Sequence, residues 1–80
     1  MNVAEAVKNR IEKLLEEKGM TWYRLEQNSG IHHRSMMGIK QVKSKSIDLF
    51  TVIQIAGGFD MVVAEFLSCP SFHEDNIKKN

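Results

Sequence analysis

Apolar residues in this chain recur at steps of three and four, and no segment sustains the every-second-residue alternation of a half-buried strand. That periodicity restricts the fold to helices packed on helices. Val3, Val7, Ile11, Leu14 and Leu15 form the longest stripe, over Val3 to Lys18, with charged residues on the opposite face. Gly19 supplies a stop, and Met20 is placed to fold back on the last turn. Thr21 is suited to cap a second helix, Trp22 to Ser29, with Leu25 turned inward and Gly30 ending it. Ile31, Met36 and Ile39 restart the pattern in a third helix, His33 to Gln41. After the polar Lys43-Ser44-Lys45 loop, Ser46 is expected to cap a fourth helix, Ile47 to Ala56, with Asp48 in its first turn. Its stripe is Leu49, Val52, Ile53 and Ala56, with Phe50 alongside. Gly57-Gly58 is expected to break it, and Asp60 to open a fifth helix, Met61 to Leu67. Beyond Leu67 the periodicity is lost, and Pro70 argues against more helix. The expectation is an all-α, compact five-helix domain over residues 1–68, followed by a flexible tail over 69–80.

Eighty residues hold one small core and little room for a deep substrate pocket, so an enzyme is disfavoured. The chain has no apolar run long enough to span a bilayer, and its first residues lack a secretory pattern. With Cys69 as its one cysteine it can form no internal disulfide, and a cytoplasmic location fits best. The net charge of +1 conceals an uneven distribution. Residues 1–26 balance, and residues 48–80 sum to −3, whereas residues 27–47 contain no acid and carry Arg34, Lys40, Lys43 and Lys45. This is a local electropositive segment, with His32 and His33 beside it.

The helices on either side of Gly30 form a helix-turn-helix in outline. Burying Leu25, Ile31, Met36 and Ile39 leaves one face of the third helix free: His32, His33, Arg34, Met37, Gly38 and Gln41. An exposed helix with donors at its start and lysines beside it has the shape and sign for a major groove. Residues 3–67 resemble the lambda-repressor/Cro-like (XRE-type) helix-turn-helix transcriptional regulators of bacteria and their phages. The likeness rests on the apolar first helix and on Thr21, Leu25, Ser29, Gly30 and Ile31. The Lys43-Ser44-Lys45-Ser46 loop, the Leu49 to Ala56 helix, and Phe59-Asp60-Met61 through Glu65-Phe66-Leu67 continue it in order.

The resemblance implies a small regulator of transcription, a repressor acting by occupancy, that binds double-stranded DNA as a homodimer on a palindromic operator. It makes His32, His33, Arg34, Met37, Gly38 and Gln41 the base-contacting set, with Arg34 suited to guanine and Gln41 to adenine. Thr21, Trp22 and Tyr23 would lie over the phosphate backbone on one flank, and Lys43, Ser44 and Lys45 on the other. Both histidines are expected to meet DNA as neutral hydrogen-bond donors. Met37 is suited to a thymine methyl, Met36 to the core, and Trp22 to a lid over the core.

Four positions depart from the family pattern. Glu26 stands where a small residue lets the helices cross, and is expected to turn outward toward Arg10. Val42 replaces a common glycine, so a more extended turn is expected. Gly38 weakens the third helix by about 1 kcal/mol relative to Ala. Val62 replaces a capping Ser or Thr. The surplus of apolar residues in and after the fifth helix suggests a dimer interface through Met61, Val62, Phe66 and Phe72.

Other chemistries are weaker. Adjacent histidines on a helix point in different directions, Cys69 and His73 have no further ligands near them in sequence, and no base stands near Cys69 to make it a nucleophile. No metal, cofactor, membrane or small-molecule effector is implied. The alternative function is a protein-interaction module, an antitoxin or a partner of another regulator, working through the apolar fifth helix.

Overall fold

The computed structural model describes residues 1–77. Five α-helices follow one another: α1 Val3–Lys18, α2 Trp22–Ser29, α3 His33–Lys40, α4 Leu49–Gly58 and α5 Val63–Phe66. Two 3-10 turns, Pro70–Phe72 and Glu74–Asn76, come after them. The fold is the expected all-α arrangement, and among the described residues there is no strand.

The ends of α1 are held by polar contacts that satisfy its free backbone groups. Asn2 Oδ1 accepts the Glu5 amide and Glu5 Oε1 accepts the Asn2 amide, each at 2.8 Å, a capping box. At its other end the Met20 amide donates to the Leu15 carbonyl at 2.9 Å, and Met20 packs against the core as expected. Thr21 caps α2 by accepting the Arg24 amide at 3.1 Å. Gly30, at φ +74°, then turns the chain in a left-handed conformation that only glycine adopts without strain.

The core gathers Val7, Ile11, Leu14 and Leu15 of α1 with Leu25, Ile31, Met36 and Ile39 of the helix-turn-helix. Val52, Ile55, Ala56, Phe59 and Phe66 complete it. Helices α2 and α4 cross closely. A Cβ added at Gly58 would stand 2.8 Å from Leu25 Cδ1 and 3.3 Å from the Ser29 Cα. The small residue that permits close packing of α2 is therefore on α4 and not at position 26. Phe66 stacks near Phe59, with ring centroids 6.4 Å apart, and the Phe72 ring lies 6.2 Å from that of Phe66.

Four expectations are corrected. First, α4 starts two residues later than its stripe suggested: Asp48 caps it, accepting the Thr51 amide at 2.7 Å, and Ser46 lies in the loop. Second, Gly57 and Gly58 continue α4, and the turn comes at Asp60, which takes φ +59° instead of opening α5. The buried stripe of α4 is accordingly Val52, Ile55 and Ala56, while Leu49, Phe50 and Ile53 face outward. Third, α5 is four residues long instead of running from Met61 to Leu67, and Val62 before it makes no side-chain cap, as its replacement of Ser or Thr implied. Fourth, residues 69–77 are not a free tail. They pack against α1, Phe72 lies against the core, and the Asn76 carbonyl accepts from the N-terminal ammonium at 3.2 Å. Residues 78–80 of the expected tail lie outside the described residues.

Candidate nucleic-acid interface

With α2 and α3 joined at Gly30 and packed through Leu25, Met36 and Ile39, the opposite side of α3 is presented to solvent. Helical spacing puts Arg34, Met37 and Gln41 in one line along that side. Arg34 and Gln41 are exposed, Met37 and Gly38 are half-buried, and Met36 is buried, as its helical position required. A Cβ added at Gly38 would meet nothing within 4 Å, so the glycine is not there for packing. It instead lines an open cleft together with Ser35 of α3, Lys43 and Ser44 of the loop, and Asp48 and Thr51 at the start of α4.

The loop after α3 is held in place at both ends. The Lys43 amide donates to the Gly38 carbonyl at 3.0 Å and the Val42 amide to the Ile39 carbonyl at 3.1 Å, which closes α3 in a Schellman turn. Farther on, the Ala4 amide of α1 donates to the Lys45 carbonyl at 3.2 Å. Lys43, Ser44 and Lys45 are all exposed. The expected extended turn at Val42 is not formed. The residue takes φ +52°, the conformation for which glycine would have been suited, and the turn is tight.

On the other flank, Thr21 and Tyr23 are exposed at the start of α2, and Trp22 is half-buried against the core, a lid as expected. Lys40 of α3 stands with its Nζ 5.7 Å from the Trp22 ring, so that cation is drawn toward α2. Arg34, Lys43 and Lys45 remain as exposed cations around the α3 face. The acids nearest to the acid-free segment in sequence, Glu26 and Asp48, are each engaged by a specific partner.

Both histidines are exposed and both have partners. His32 precedes α3 and caps it, its Nδ1 accepting the Arg34 amide at 3.2 Å. His33 Nδ1 lies 2.7 Å from Glu26 Oε1 of α2, a bond across the turn of the motif. Glu26 does not reach Arg10. Arg10 instead donates from Nε to the Phe66 carbonyl at 2.7 Å and from Nη2 to the Glu65 carbonyl at 3.1 Å, tying α1 to the end of α5. The Glu26–His33 pair was hidden in sequence because seven positions separate the residues; only the chain reversal at Gly30 brings them together.

The expected dimer surface is altered. Phe66 is fully buried, so it is a core residue and cannot meet a partner while the domain is folded. Phe72 and Met61 are half-buried against the core, and of the four residues Val62 alone is largely open, at 69%. The larger exposed apolar set is on α4, where Leu49, Phe50 and Ile53 share one side of the helix. Sequence reasoning missed it because their spacing also fits an inward stripe.

Among the described residues no three His, Cys, Asp or Glu side chains gather where a metal ion could be held. No described helix is long and apolar enough to cross a membrane. No curated protein matches the chain. A family model of the Cro/C1-type helix-turn-helix DNA-binding domain matches residues 10–71, a stretch that takes in α2, α3, the basic loop, α4 and α5. With that match over most of its length, and with the family's helix-turn-helix formed at α2 and α3, the chain belongs to the Cro/C1-type helix-turn-helix DNA-binding domain family, whose members regulate transcription.

Proposed function

We propose that this protein is a sequence-specific repressor that lays α3 in the major groove of its operator. The observation that carries the reading is the outward side of α3, with Arg34 and Gln41 exposed and Met37 and Gly38 half-buried, and with Lys43, Ser44 and Lys45 exposed in the loop after it and Thr21 and Tyr23 exposed at the start of α2. Arg34 has the two-pronged donor that matches guanine O6 and N7, and Gln41 can pair with adenine N6 and N7 or reach phosphate. Lys43, Ser44 and Lys45 grip one phosphate strand, and the free amides of α2 with Thr21, Trp22 and Tyr23 grip the other. Phosphate contacts supply most of the affinity and the α3 side chains most of the selectivity.

A palindromic operator suits this reading, since two copies reach two half-sites about 34 Å apart. The surface available for pairing is Val62 with the rim of Met61, together with Leu49, Phe50 and Ile53 of α4. The same α4 side chains favour the second reading, a protein-interaction module whose partner is another protein.

Selection from a random duplex library, followed by salt titration of the enriched sequence, separates the two. A DNA reader enriches one sequence and loses affinity steeply as salt rises. On that sequence Arg34→Ala should cost about 1–3 kcal/mol at one base position and relax selectivity there. Lys43→Ala should weaken all duplexes alike and reduce the salt slope by about 1. Enrichment of nothing at low salt would reject the operator reading and leave the protein-interaction one.

A further inference from the structure

His32 and His33 open α3 side by side, but their neighbours set their protons in opposite places. His32 accepts the Arg34 amide on Nδ1. A nitrogen that accepts carries no proton, so the neutral ring keeps its proton on Nε2. His33 faces a carboxylate through its Nδ1, at 2.7 Å. A carboxylate only accepts, so here Nδ1 carries the proton and Nε2 of the neutral ring is a bare lone pair. Glu26 is well placed to impose this, because its side chain is 13% exposed and held on α2, while the imidazole is 70% exposed and free to meet a ligand.

We propose that the two rings are an oppositely poled pair of base-reading groups, His32 a donor and His33 an acceptor. This inference rests on the reading of α3 as the helix in the major groove. There the acceptors are guanine N7 and O6, adenine N7 and thymine O4, and the donors are adenine N6 and cytosine N4. Phosphate oxygens only accept. His32 is therefore matched to guanine, thymine, the N7 of adenine, or phosphate. His33 is matched to the exocyclic amino group of adenine or cytosine, and to nothing on the backbone. The expectation that both rings act as donors is replaced by a polarity difference that two identical residues acquire from their surroundings. Glu26 is a positioning residue, acting on DNA through His33.

The proposal is tested first without DNA. Nitrogen NMR of the histidine-labelled chain at neutral pH should show the Nε2–H form at His32 and the Nδ1–H form at His33, and Glu26→Ala should return His33 to a mixture of both. An Nε2–H form or a doubly protonated ring at His33 in the unsubstituted protein overturns it. Library selection with the unsubstituted chain and with His33→Ala then finds the base position that loses its preference. An analogue of that pair's adenine or cytosine lacking the exocyclic amino group should weaken the unsubstituted protein by roughly two- to tenfold. The same analogue should leave His33→Ala unchanged, and Glu26→Ala should lose preference at that one position. No loss of affinity with that analogue, or no position affected, overturns the proposal. If the unsubstituted chain enriches no duplex, the groove reading fails and the proposal about bases falls with it, while the NMR result still states how the rings are poled.

Discussion

At Val42 two backbone hydrogen bonds close the end of α3, and they hold a β-branched residue at φ +52°. In this region the Cβ crowds the following carbonyl, at a cost of about 1–2 kcal/mol. Val42→Gly should relieve that strain, and chemical denaturation should show a gain of about 1 kcal/mol after the added freedom of the unfolded chain is subtracted. A loss of stability would mean that the half-buried valine side chain contributes more by packing than its backbone costs. The sequence already showed a residue at odds with its place here. It did not show which would yield, and the expectation of a looser turn was wrong because satisfying the carbonyls of Gly38 and Ile39 outweighs the strain at one residue. His33 shows the opposite limit: its exposure was legible, but its polarity depends on Glu26, a neighbour that only the turn supplies.

At the scale of elements, the helix starts decide the register of the faces. The start of α4 at Asp48 makes Val52, Ile55 and Ala56 the inner face and turns Leu49, Phe50 and Ile53 to solvent. The Thr51 amide, and after it the Thr51 hydroxyl, hold the Asp48 carboxyl below its ordinary value. The sign follows directly. A carboxyl lowered on folding stabilises the folded state above its ordinary value, and that contribution is lost as pH falls through the lower, folded value. Asp48→Asn keeps a side-chain oxygen for the cap but no longer titrates. Thermal unfolding should therefore find the unsubstituted protein at least as stable as Asp48→Asn at pH 7, with the difference shrinking or reversing below about pH 4. A gap that stays constant across that range would show that the Asp48 charge does not contribute to α4. Ser46 and Asp48 were both admissible caps by residue type, and choosing between them required knowing that residues 43–47 form the loop tied back to α1.

For the whole molecule, the question is what the exposed apolar side chains do. Phe50 is 69% exposed, as is Val62, so charging either should leave the melting temperature of the domain nearly unchanged. If pairing uses the α4 face, Phe50→Asp should lower self-association in sedimentation equilibrium and weaken operator binding by about tenfold or more, since truncating or charging a central apolar contact commonly costs over 1 kcal/mol. If pairing uses the α5 edge, Val62→Asp should produce that loss instead. Unchanged sedimentation and unchanged operator affinity in both variants would reject pairing through either surface. The segment after α5 belongs to this scale as well. Phe72 packs beside Phe66 and Arg10 holds the end of α5, so a helix of four residues is fastened from two sides. Its apolar surplus is largely used inside the domain.

Periodicity, the stops at Gly19 and Gly30, and the acid-free basic segment were enough to establish the all-helical class, the place of the helix-turn-helix and the outward side of α3. These depend on neighbours along the chain, where three- and four-residue spacing maps directly onto one face. What only the tertiary structure decided are relations between distant residues. The fate of Phe66 as core, the close approach of Gly58 to α2, the outward turn of Phe50 and the pairing of Glu26 with His33 all depend on which surfaces meet. Short helices make this division sharp: α5 has too few turns for its pattern to specify a buried side, so packing against α1, α4 and the Phe72 turn specifies it instead.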